Sequence, residues 1–151
     1  MNQMFTLDEA VSAVRGQLIK GSSCEAEYPE FFTGVSKDTR TINQGELYVA
    51  LIGENFDGHS FCGKALEAGA AAVLVSDVSF LPTNCIAILV EDTRVALGQL
   101  ARAYRDRLGI NGAQVIAVTG SVGKTSTREM ITAGLSASCN VYSTKANLNN
   151  D

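Results

Sequence analysis

The chain has few of the residues that metal-bound and disulfide-bonded scaffolds depend on. Its single histidine is His59, and its four cysteines, Cys24, Cys62, Cys85 and Cys139, are unevenly spread with no Cys-x-x-Cys pair. A structural zinc needs closely spaced sulfur or imidazole ligands, and a disulfide framework needs a patterned set of cysteines. With neither pattern present, free buried thiols are expected, Cys being among the most buried residue types. Basic residues are also few: 12 Lys and Arg against 16 Asp and Glu leave a formal net charge of −4 and a pI near 5.0. The densest basic stretch, Arg102, Arg105 and Arg107 around Asp106, reads as the solvated face of a helix. Without a cationic cluster to neutralise phosphates, a general nucleic-acid binder is excluded. No apolar run approaches the ~18 residues of a membrane span, and the first nine residues lack a basic segment followed by an apolar one. No membrane insertion is therefore expected, and the cytoplasm is the expected location. Repeats and low-complexity tracts are absent as well.

What is present is an apolar fraction of 46% with charges of both signs in 151 residues, room for a core and about one domain. Thr6-Leu-Asp-Glu9 has the Thr-x-x-Glu form of a capping box, and Ala10, Val11, Val14 and Leu18 follow at helical spacing, predicting a helix from Thr6 to Leu18. An irregular stretch around Gly21 to Pro29 precedes a predicted strand, Glu46 to Ile52, and a polar turn, Gly53 to Gly58. Ser60 to Ala68 suits a helix stopped by Gly69. The runs Ala70 to Val75 and Cys85 to Val90 suit strands buried on both faces. Asp92 can cap a helix ending near Gly109, and Gly109 to Ala113 reads as a linker. Beyond it come a predicted strand, Val115 to Thr119, a helix from Lys124 to Ser138, and a short strand from Asn140 to Ser143. This alternation predicts an α/β fold with a mostly parallel sheet and ligands at the carboxyl ends of its strands. The last third reads as the opening of a larger α/β unit, so the sequence is expected to be a fragment.

Thr119-Gly-Ser-Val-Gly-Lys-Thr-Ser126 lies between a predicted strand and a predicted helix, the setting of a phosphate-binding loop. Gly120 and Gly123 allow backbone angles and close approach that side chains block, so successive N–H groups can turn toward an anion. Lys124 offers an ammonium to terminal phosphates, and Thr125 a hydroxyl to magnesium. The strict phosphate-loop form would have glycine where Val118 stands. A purely structural glycine turn is the competing reading, but a lysine opening a helix opposes the helix dipole unless an anion is nearby.

This shortened loop, from Thr119 through Gly120, Ser121, Val122, Gly123, Lys124 and Thr125 to Ser126, resembles the Thr-Gly-x-x-Gly-Lys-Thr/Ser signature of the Mur ligases and their folylpolyglutamate synthetase relatives, where the position of Val118 need not be glycine. Arg128-Glu-Met130, Gly34 to Arg40, Gly45 to Gly53, Asn55 to His59 and Ala146 to Asp151 also resemble segments of that family. The tail is most similar to the branch that joins D-alanyl-D-alanine to UDP-N-acetylmuramoyl-tripeptide. The resemblance implies a UDP-muramyl-peptide-binding domain over residues 1–112 and the beginning of a phosphate-loop ATPase domain over 113–151. It implies ATP and Mg2+ as cofactors, with Thr119 to Ser126 around the phosphates, Lys124 catalytic and Thr125 on the metal. Lys37, Asp38, Thr39, Glu54, Asn55 and Phe56 would line the uridine side, and Asn147 and Asn149 would lie near substrate and phosphate. The implied chemistry is attack of a substrate carboxylate on the γ-phosphate of ATP, then displacement of phosphate by an amine. The partners are small molecules and a monomer is expected. The fragment by itself is expected to turn over negligibly.

Read from the residues alone, Asp38-Thr-Arg40 is a local Asx turn with an ion pair, Asn55 to Gly58 is a turn, His59 is a satisfied or surface histidine, and the Asn-rich tail can be a plain loop. Three other functions stay open at this level: a ligase adding a single diamino acid, a non-catalytic UDP-sugar-peptide-binding module, and a phosphate-loop kinase or GTPase.

Overall fold

The computed structural model of the chain describes residues 3–144, and the chain divides into two compact units, Met1–Ala113 and Gln114–Asp151.

In the first unit the capping box forms as expected. The Glu9 N–H donates to Thr6 Oγ1 at 3.2 Å, and the Thr6 N–H donates to Glu9 Oε2 at 2.8 Å. The helix it opens, α1, spans only Leu7–Val14. Arg15 turns left-handed with φ 51°, and the Gly16 N–H closes back on Val11 O at 3.0 Å. Leu18, whose spacing fits a helix face, instead enters a strand, β2 (Gln17–Lys20). Just before α1, a two-residue strand, β1 (Phe5–Thr6), pairs antiparallel with β3 (Phe31–Phe32).

The central sheet has five strands in the order β2, β7 (Ile86–Leu89), β6 (Ala72–Val75), β5 (Leu47–Val49), β4 (Val35–Ser36). All neighbours are parallel except the antiparallel β2–β7 pair at one edge, matching the mostly parallel α/β architecture read from the alternation of elements. The two strands expected to be doubly buried are so because the two-residue pleat divides them between two cores. Leu47, Val49, Ala72, Leu74, Ile86 and Ile88 pack with α1 and with α3 (Thr93–Ile110) on one face. Tyr48, Val73, Val75 and Ala87 pack with Cys62 and Ala65 of α2 (Cys62–Glu67) on the other. Burying a Leu or Ile side chain is worth about 1.5–3 kcal/mol, and Leu47, Leu74 and Ile88 are each 0% exposed, so this sheet is the rigid base for the loops at its ends.

Asp92 caps α3 by accepting from the Arg94 and Val95 N–H groups at 2.7 and 3.0 Å. The helix continues one residue past Gly109, the stop read from sequence. Of the three basic residues near its end, Arg102 and Arg105 do face solvent beside Asp106. Arg107 does not fit that reading. Its guanidinium donates to Glu9 Oε2 at 3.4 Å and to Gln3 O at 3.1 Å, and lies 5.8 and 5.5 Å from the ring centroids of Phe5 and Tyr104. It ties α3 to the start of the chain. Cys62 and Cys85 are buried, but Cys24 is half-buried and Cys139 exposed, so the burial expectation fails for Cys139; all four thiols are free.

In the second unit, α4 covers Lys124–Leu135 rather than reaching Ser138. The expected strands at Val115–Thr119 and Asn140–Ser143 are absent among the described residues. Their apolar content suits a strand, but a strand is stable only when a neighbour pairs its N–H and C=O groups, and no ladder forms here. Val115 and Ile116 are accordingly 62% and 57% exposed.

Candidate functional site

Because β4 to β7 run parallel, the loops that follow them gather at one edge of the sheet, where ligands of open α/β sheets bind. The loop after β4 holds Lys37, Asp38 and Thr39. Asp38 Oδ1 accepts from the Arg40 N–H at 3.0 Å, and its carboxylate is bridged by the Arg40 guanidinium, Nη2 to Oδ2 at 2.6 Å. Those hydrogen bonds hold the Asp38 carboxyl at about 2, well under its ordinary 3.8. The Ser36 hydroxyl donates to Asp38 O, and the Thr41 hydroxyl donates to the same oxygen. This is the Asx turn with an ion pair read from the residues. It orders the loop and leaves Lys37 at the surface.

After β5 the chain makes a tight reversal: Ile52 bridges to Asp57, the Gly53 N–H donates to Phe56 O at 2.9 Å, and Glu54, Asn55 and Phe56 are exposed at the tip. The base of this turn is packed without slack. A Cβ on Gly58 would sit 2.7 Å from both the N and the O of Leu51, so glycine is there for close approach. The buried Tyr48 hydroxyl donates to Gly58 O at 3.1 Å. Burial pushes that phenol up to about 12, with Cys62 and the nearby Asp38 and Asp57 adding to the shift. Tyr48 thus feels carboxylates from the loops after both β4 and β5, and the two uridine-side candidate segments share one end of the sheet.

A third loop on this edge escaped the reading of the sequence. Ser76 and Asp77 follow β6, and Asp77 Oδ1 accepts from the Ser79 N–H and hydroxyl at 2.8 and 2.7 Å, turning Val78–Phe80 outward. The signal was available, since the loop follows a buried strand and has Asp two residues before Ser, an Asx-turn spacing. His59 is neither at the surface nor a candidate base: it is 1% exposed, with both ring nitrogens engaged by Asp57 and Ser76, the satisfied-histidine reading.

In the second unit, the glycine-rich loop leads directly into α4. Gly120 and Gly123 have φ of 142° and 80°, the left-handed region in which glycine is favoured. A Cβ on Gly123 would meet nothing within 4 Å, so backbone angle and not crowding requires glycine there. Lys124 Nζ donates to Gly120 O, folding the ammonium over the loop. α1 and α3 each open with a side-chain cap, from Thr6 and Asp92. α4 has no such cap and no acid in its first turn. First-turn N–H groups lack carbonyl partners within their own helix, and the helix end is electropositive. A loop of this backbone shape, carrying Lys124 and the hydroxyls of Ser121, Thr125 and Ser126, has the donor chemistry to accept a polyphosphate. Thr119 precedes it, and Val122 is 90% exposed. Asn147 and Asn149 lie outside the described residues.

Among the described residues no helix is long and apolar enough to cross a membrane, and no group of three or more His, Cys, Asp or Glu is placed to hold a metal ion. A magnesium ion carried on phosphates keeps several waters and needs few protein ligands; one hydroxyl such as that of Thr125 suits that donor set.

Residues 31–105 match the family described as Mur ligase family, catalytic domain. Over 136 residues, 89% of this chain, the sequence is 46% identical to the UDP-N-acetylmuramoyl-tripeptide--D-alanyl-D-alanine ligase of Bacillus subtilis, and it covers 29% of that relative's length. The crystal structure of MurF from Acinetobacter baumannii superposes with a TM-score of 0.79 at 32% identity, covering 99% of this chain and 31% of that one. MurF from Thermotoga maritima, solved in complex with ADP, gives a TM-score of 0.65 at 33% identity over 76% of this chain and 26% of its own. With the strand order, the carboxyl-edge loops and the glycine-rich helix start in place, the chain belongs to the Mur ligase family.

Proposed function

We propose that this chain supplies the UDP-sugar-peptide-binding domain and the ATP phosphate loop of a ligase that joins D-alanyl-D-alanine to UDP-N-acetylmuramoyl-tripeptide in the cytoplasm, a step of peptidoglycan precursor synthesis. The observation that carries the reading is the 46% identity to the Bacillus ligase. It extends over 89% of a chain whose first unit ends at Ala113, so it includes residues of both units.

In this reading residues 1–112 form the nucleotide-sugar domain. The ordered turn at Lys37, Asp38 and Thr39 and the exposed tip at Glu54, Asn55 and Phe56 contact the uridine end of the substrate. Residues 113–151 begin the ATP domain in this reading, and the Thermotoga relative's being solved with ADP supports use of an adenine nucleotide. Bound ATP supplies the phosphoryl group that activates a substrate carboxylate. The N–H groups from Gly120 to Ser126 would hold its phosphates, Lys124 would neutralise charge where it develops during transfer, and Thr125 would be one protein ligand to magnesium. The oligomeric state in this reading is a monomer.

Titration calorimetry with UDP-N-acetylmuramoyl-tripeptide tests the first half. Saturable binding is expected, weakened about tenfold in Asp38→Ala, because that change removes the charge-assisted bonds ordering the turn. A chain that ignores this nucleotide, or binds it equally well without Asp38, refutes the assignment.

A further inference from the structure

His59 holds two carboxyl-edge loops together through one buried ring. Its Nδ1 lies 2.6 Å from Asp57 Oδ1, which also accepts from the His59 N–H at 2.9 Å. On the other side of the ring, Nε2 accepts from the Ser76 N–H at 2.9 Å, with the Ser76 hydroxyl at 3.2 Å. A backbone N–H can only donate, so Nε2 carries no proton, and the single ring proton sits on Nδ1 and is donated to Asp57. Carboxylate, imidazole and serine hydroxyl thus stand in the order of a hydrolytic triad. The Ser76 main chain, however, already takes the lone pair that would deprotonate the hydroxyl, so the cluster is not arranged as a nucleophile. Asp57 closes the turn that presents Glu54, Asn55 and Phe56. Ser76 begins the loop that presents Val78 and Phe80, and the Phe80 ring centroid is 6.0 Å from that of His59.

We infer that His59 is a positioning residue for nucleotide binding: its cross-loop bond to the Ser76 N–H fixes the Glu54–Phe56 tip relative to the Val78–Phe80 loop, so that both face one uridine diphosphate. The inference rests on the uridine-side reading above and adds to it the loop after β6 and the residue that registers the two. It separates from simple burial because the two ring nitrogens do different work. His59→Asn keeps a short amide donor for Asp57 and loses the cross-loop acceptor. His59→Gln reaches further and restores an oxygen acceptor for the Ser76 N–H.

The test measures UDP binding by calorimetry for the chain and both variants, together with hydrogen exchange at the Ser76 amide. Asn is expected to weaken UDP about tenfold and to speed Ser76 exchange, while Gln stays within about threefold of the parent on both. Equal effects of the two variants overturn the inference, since volume alone would then explain them. Nitrogen NMR of the unsubstituted chain covers the case of an Asn variant that does not fold. A neutral ring protonated on Nδ1 supports the clamp, and a proton on Nε2 overturns it. If the parent chain does not bind UDP, the uridine reading falls. The Ser76 exchange rates then still decide whether His59 registers the loops.

Discussion

Within the Gly53–Gly58 turn the closest approach to backbone atoms is at Gly58, and its replacement by alanine has a cost that can be worked from distances. The added methyl carbon would lie 2.7 Å from both the N and O of Leu51 and 3.0 Å from the carbonyl carbon of Ala50, all backbone atoms. They cannot rotate away as a side-chain tip would, and the Gly58 N–H holds Leu51 O at 2.9 Å. Gly58 does not have a positive φ, so the penalty is steric and not conformational. Overpacking of this kind costs about 1–3 kcal/mol. With a urea slope near 2 kcal/mol per molar, a cost of about 2 kcal/mol moves the denaturation midpoint down by about 1 M. Gly98→Ala is the matched control. It lies inside α3, where an added Cβ meets nothing within 4 Å, so the same chemical change should stabilise by about 0.5–1 kcal/mol through helix propensity. If both variants shift the urea midpoint in the same direction, or Gly58→Ala leaves it unchanged, the packing argument at the base of the turn is wrong.

Other consequences follow from single groups. Thr6→Ala removes the acceptor for the Glu9 N–H and should destabilise by about 1 kcal/mol in the same urea assay. Because its folded-state value is depressed, Asp38 contributes stability above its ordinary 3.8 that is lost as the pH falls toward about 2; carbon NMR should show its midpoint rising in Arg40→Ala. Burial pushes the Cys62 thiol up to about 12, so at pH 8 a disulfide reagent should modify exposed Cys139 at once and Cys62 only under denaturing conditions.

The sequence is most readable where one local interaction decides the outcome. The Thr6–Glu9 box and the Asp92 cap each specify their helix start without reference to distant chain, and the near-continuous apolar runs Ala70 to Val75 and Cys85 to Val90 mark strands buried on both faces; each forms. The boundary of α1 was not readable, because Leu18 fits a helix face and a strand equally well and is settled by pairing with Ile88 of β7. The short strands at Phe5, Phe31 and Val35 exist only through partners far along the chain, which periodicity does not encode. The same nonlocality hid the role of His59: Asp57 is a sequence neighbour, but the strand order alone brings Ser76 to the other ring nitrogen. Val115 to Thr119 erred in the opposite direction, since apolar content favours a strand but supplies no neighbour to pair with.

The most direct check on the account is calorimetric titration of this chain with ATP and magnesium, set beside Lys124→Ala. Lys124 is the cation at a helix start that has neither a side-chain cap nor an acid of its own. Saturable binding that weakens at least about tenfold in the variant is the predicted result, a charge-assisted contact to phosphate being worth about 1.5–3 kcal/mol. Binding that is indifferent to Lys124, or no binding by the parent chain, contradicts it.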